Sequence, residues 1–190
     1  MKKEFTTTKI TFPTTTITTT KATTKTTTKM KKTELKNLEK EKLIELLVEL
    51  SKLNKDNEAF LKTRLSTDYN DYYKLSCKKI DNAFSCFELM SLKDARQALS
   101  NFKKSKPENS RLIDLYLYYI RRAYKLEETD WRFQENFYSA IERVFGMIVD
   151  ILKKDPSLKE KYDASIKKII SQANEGWNHQ DTLKDMYEEI

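Results

Sequence analysis

A chain of 190 residues with 38% hydrophobic and 34% charged positions has room for one domain built from elements with heavily solvated outer faces. Two glycines and three prolines disfavour strand-rich folds and the glycine-cradled phosphate loops of α/β folds. The formal net charge of +7 is unevenly placed: residues 1–29 hold six lysines and one acid, Glu4, so the rest of the chain is near balance and has no global attraction for a polyanion.

Residues 1–30 form a low-complexity tail rich in Thr and Lys, with 15 Thr among the first 29 positions. Threonine is a poor helix former, and the stretch has too few apolar side chains to bury, so it is expected to be disordered. No apolar run of signal-peptide length opens the chain. Met30-Lys31-Lys32 repeats the look of Met1-Lys2-Lys3, which marks Met30 as the true or an alternative start. The longest apolar run, Leu115–Ile120, is six residues, against the roughly 20 that cross a bilayer. These features predict a cytoplasmic protein with no membrane partner.

From residue 31 onward the periodicity is helical. Leu35, Leu38, Leu43, Leu46, Leu47, Leu50 and Leu53 recur at steps that define an amphipathic helix, with a break near Asn37. A short helix follows from Glu58 to Leu65, with Phe60, Leu61 and Leu65 facing inward. Ser66-Thr67-Asp68 offers capping oxygens for a third helix through Tyr72, Leu75, Ile80 and Phe84. Ser91 to Asp94 reads as a variant capping box, and the helix it starts carries Leu92, Ala95, Leu99 and Phe102 on one face.

The segment Leu112–Leu126 is apolar around most of its circumference and is therefore the expected centre of the core. Phe137, Ile141, Val144, Ile148 and Ile151 make one stripe on a long helix, where Gly146 is expected to permit close approach of a neighbour. Asp155-Pro156-Ser157 stops that helix and starts another. Gly176 is expected to end the latter in a left-handed cap, and a short helix through Leu183, Met186 and Tyr187 closes the chain. The expectation is an all-α domain over 31–190, with seven or eight helices in an antiparallel bundle; a short helical-pair superhelix is the alternative.

Candidate surfaces are few. Lys93, Arg96, Lys103 and Lys104 gather on the helix that starts at Leu92, and residues 92–106 carry five bases against one acid. This is a candidate surface for an anion or an acidic partner, with Arg96 able to bind in bidentate fashion. The competing explanation is that lysines at a helix C-terminus complement the macrodipole, worth about 0.3–1 kcal/mol each.

A second cluster, Trp177, His179 and Asp181, suggests an acid–base pair, although no nucleophile is near in sequence. Capping by Asn178 and Asp181, with Trp177 anchored in the core, explains the same residues. Glu127, Glu128, Asp130 and Glu135 do not make a di-metal motif in a chain with a single histidine. Tyr116, Tyr119 and Tyr124 are expected in the core, with Tyr118 on an exposed edge. Cys77 and Cys86 lack metal-ligand spacing and are expected to be reduced, buried thiols.

Several stretches resemble an uncharacterised bacterial all-helical family, domain of unknown function 6155. Leu43-Ile44-Glu45-Leu46 opens the series, and Lys93 to Lys104 is similar to that family's K-x-A-R-x-A-(I/L)-x-x-F-K pattern. Leu112-Ile113-Asp114-Leu115 with Tyr119, then Phe137-Tyr138, and finally Gly176-Trp177 with Asp181, follow in the same order. The family places a His directly before that Asp, where this chain has Gln180; its only histidine, His179, stands one position earlier. The resemblance covers about residues 31–190 and implies a bacterial, cytosolic helical domain without bringing an activity.

The residues thus point to a non-catalytic helical interaction module that binds a protein partner through the basic helix or the Tyr118 edge. The alternative is a nucleic-acid-binding accessory protein that uses the tail and the Lys93–Lys106 segment. No catalytic, cofactor-binding or metal-ligating residue is assigned, and the sequence leaves an enzyme open.

Overall fold

A computed structural model describes residues 32–66, 68–130 and 132–190, and among these the chain is helical with no strand. The Thr/Lys tail, the expected start at Met30, Thr67 and Trp131 lie outside the described residues. Two compact units are distinguished, Met1–Lys40 and Glu41–Ile190. Within the first, α1 (Lys32–Lys36) is little more than one turn, and Leu38 N donates to Leu35 O where the expected break falls.

The second unit begins within α2 (Lys40–Leu53), which buries none of its residues. Leu46, Leu47, Leu50 and Leu53 are exposed, contrary to the inward face that their spacing predicts. The core assembles without this helix, its buried cluster starting at Ala59.

Asn54 Oδ1 accepts from Asn57 N (2.9 Å) at the start of α3 (Lys55–Ser66). That helix buries Ala59 and Thr63, while Leu65, expected inside, is exposed. The start of α4 (Asn70–Ala83) is met by Asp68, whose Oδ1 accepts from Asn70 N (2.9 Å). Before α5 (Leu92–Lys104) the capping box is half formed: Ser91 Oγ accepts from Asp94 N at 3.2 Å.

At the centre lies α6 (Asn109–Glu127), which packs against α4, α5, α7 (Glu135–Lys154) and α8 (Lys159–Gln172). Leu115, Tyr116, Tyr119 and Ile120 are almost wholly buried on it, as a helix apolar nearly all round must be. The α7 stripe of Phe137, Ile141, Val144 and Ile148 meets this core. Consecutive helices from α3 to α7 pack on one another, which makes the domain a helical bundle.

Two glycine expectations are corrected. A side-chain carbon at Gly146 would meet nothing within 4 Å, so this glycine permits no close approach; the neighbours pack on the Phe145 and Val149 side. The left-handed residues near the end are Trp177 and Asn178, each at φ 57°, and not Gly176. Gly176 serves another need: its N–H donates to Asn174 Oδ1 (2.7 Å), and a side-chain carbon there would approach that oxygen to 2.8 Å. The turn leads into α9 (His179–Glu188), which docks on α7 and α8 with Leu183 fully buried.

Candidate functional site

On α5 the buried side is Ala95, Ala98, Leu99 and Phe102. At 100° per residue, Lys93, Arg96, Ser100, Lys103 and Lys104 then share one outward arc. All four cations are exposed. They span about 16 Å along the helix axis at 1.5 Å per residue. Among the described residues none is paired with a carboxylate, although charged groups elsewhere form pairs such as Asp81–Arg122 (2.6 Å) and Asp163–Lys167 (3.0 Å).

Arg96 Nε donates to Leu92 O at 3.2 Å, one turn back, which fixes the guanidinium along its own helix and leaves the terminal nitrogens outward. Arg143 on α7 repeats this, with Nε donating to Ser139 O at 3.1 Å. On α6 the buried hydroxyl of Tyr119 has no hydrogen-bond partner among the described residues. Burial pushes that hydroxyl up to about 12, and the positive charges of Arg96 and Arg143 act in the opposite sense.

The C-terminal cluster is not brought together. Trp177, expected in the core, is 60% exposed. Asp181 is exposed and pairs with Lys184 at 3.1 Å. His179 is completely buried and turns away from both. Its Nδ1 lies 2.8 Å from Glu142 Oε1, and its Nε2 lies 3.0 Å from the Tyr124 hydroxyl. A neutral ring protonated at Nδ1 satisfies both contacts, donating to Glu142 and accepting from Tyr124.

Tyr138 packs on the imidazole with ring centroids 5.1 Å apart and donates to Glu127 Oε1 at 2.8 Å. Asn174 Nδ2 reaches the same oxygen at 2.9 Å. The result is a closed polar network that ties α9 and the 173–175 connection to α6 and α7. Glu142 and Tyr124, the true partners of His179, lie 37 and 55 residues away and left no local signal.

Tyr118 is not an open edge. It is half-buried, and its hydroxyl donates to both Asp81 oxygens at 2.8 Å. Among the described residues, those of the acidic stretch around Glu127 to Glu135 included, no group of three His, Cys, Asp or Glu converges. Cys77 and Cys86 are free and half-buried. Burial pushes the Cys77 thiol up to about 11 despite a hydrogen bond with Tyr73.

Among the described residues no helix is long and apolar enough to cross a membrane. No family model, curated protein or solved structure matches the chain.

Proposed function

We propose that this chain is a non-catalytic helical interaction module whose α5 stripe docks on an acidic surface of a protein partner. The carrying observation is that Lys93, Arg96, Lys103 and Lys104 share one outward arc with no carboxylate to neutralise them. Dipole complementation explains Lys103 and Lys104 in the last turn, but not Lys93 in the first, where positive charge is unfavourable, nor Arg96 in the second. The near balance of charge outside the tail favours a local acidic partner over a polyanion that would engage a whole face. The burial of His179, with both nitrogens occupied, keeps the one imidazole from any substrate and supports a role in binding rather than catalysis. Placement in the bacterial helical family belongs to this proposal and rests on the residues quoted above.

Fluorescence anisotropy with a labelled Glu/Asp-rich peptide, alongside a labelled DNA duplex, tests the reading. The peptide should bind in a salt-sensitive way, and Arg96→Glu or Lys103→Glu should weaken it at least tenfold. Peptide binding unchanged by these substitutions would count against the α5 surface. Tighter binding of the duplex than of the peptide would turn the assignment to nucleic acid.

A further inference from the structure

A cleft of about 610 Å³ lies between the C-terminal halves of α6 and α8, a size suited to a small molecule. Three cations line it: Arg121 and Lys125, one helical turn apart on α6, and Lys168 on α8. Their immediate neighbours in sequence are neutralised elsewhere, Arg122 by Asp81 at 2.6 Å and Lys167 by Asp163 at 3.0 Å. Among the described residues the cations that line the cleft form no ion pair, although Glu127 and Glu128 line it too. Repulsion between Arg121 and Lys125 at this spacing is unfavourable to the helix. Arg121 also stands before the last turn of α6, outside the reach of the helix dipole.

The same cleft is also lined by Glu127, Glu128, Gln172 and Asn174. Glu127 is held there by Tyr138 and Asn174, and Glu128 stands exposed beside it. Tyr124 also lines the cleft but is largely buried, with its hydroxyl held by His179. One guanidinium fork and two ammonium groups suit a compact dianion. Carboxylate and amide groups in the same lining suit hydroxyl groups.

We propose that this cleft binds a small sugar phosphate, with the phosphate on Arg121, Lys125 and Lys168 and the sugar hydroxyls toward Glu128 and Asn174. The site shares no residue with the α5 stripe.

Isothermal titration calorimetry on the full chain, with ribose 5-phosphate, inorganic phosphate and ribose as separate titrants, tests it. Ribose 5-phosphate should bind one site saturably and more tightly than inorganic phosphate, and ribose alone should give no binding. Arg121→Gln and Lys168→Gln should each weaken ribose 5-phosphate at least tenfold, whereas Arg96→Gln should leave it within twofold. Because the substituted side chains are exposed, the fold should persist, with unchanged circular dichroism as the check. Absence of saturable binding, equal affinity for inorganic phosphate, or full affinity in Arg121→Gln would each overturn the proposal. A loss caused by Arg96→Gln instead would assign the anion to α5 and overturn the cleft.

Discussion

His179 shows how a residue's chemistry is set by its partners rather than its neighbours in sequence. Sealed between Glu142 and Tyr124, it has no free nitrogen, and its value is in holding α9 on the bundle. His179→Phe keeps an aromatic ring of similar breadth but orphans a buried phenol and the facing Glu142 oxygen. Each group left without a partner costs about 1–3 kcal/mol, so a clear fall in the urea midpoint is expected. A midpoint unchanged from the parent would show that the ring, and not its hydrogen bonds, carries the docking. Trp177 and Asp181 flank this residue in sequence yet face solvent, because the left-handed turn at Trp177 and Asn178 redirects the chain just before α9.

At the scale of the element, α7 and α2 are instructive in opposite ways. The α7 stripe is buried as its spacing predicts, and the one residue out of keeping with a long helix is Gly146. Nothing occupies the space where its side chain would stand. Gly146→Ala should therefore add about 0.8–1 kcal/mol through helix propensity alone. Thermal unfolding of the variant would show a raised midpoint; a lowered one would mean that an unseen neighbour uses the gap. For α2 the periodicity is equally clear, yet the helix faces solvent with its leucines exposed. A hydrophobic arc says that a helix can be covered. It does not say by what.

Across the whole molecule, tyrosine and cysteine burial sets an alkaline limit. Burial pushes the Cys77 thiol up to about 11 and the Tyr118, Tyr119 and Tyr187 hydroxyls up to about 12. In the unfolded chain these groups lose their protons at ordinary values, near 8.5 for the thiol and near 10 for the phenols. Above about pH 8.5 the unfolded state therefore binds fewer protons than the folded one, and stability falls as pH rises toward 12. Urea midpoints measured at neutral pH and at pH 10.5 (roughly midway in that window) should show the lower value at alkaline pH. Equal midpoints would contradict the burial of these groups.

Composition and periodicity alone determined that the described chain is helical, where most helices start and stop, and that the segment around Tyr119 is central, because these depend on local propensity and on which faces are apolar. They also located the cations of α5, since the residues of one helix face recur at fixed spacing. Tertiary structure decided the rest. It gave His179 its partners, Glu142 and Tyr124. It gathered Arg121, Lys125 and Lys168 around one cleft, and it left α2 uncovered. Each of these joins residues from different helices, and the distances across a bundle are set by how its helices pack, which no single stretch of sequence records.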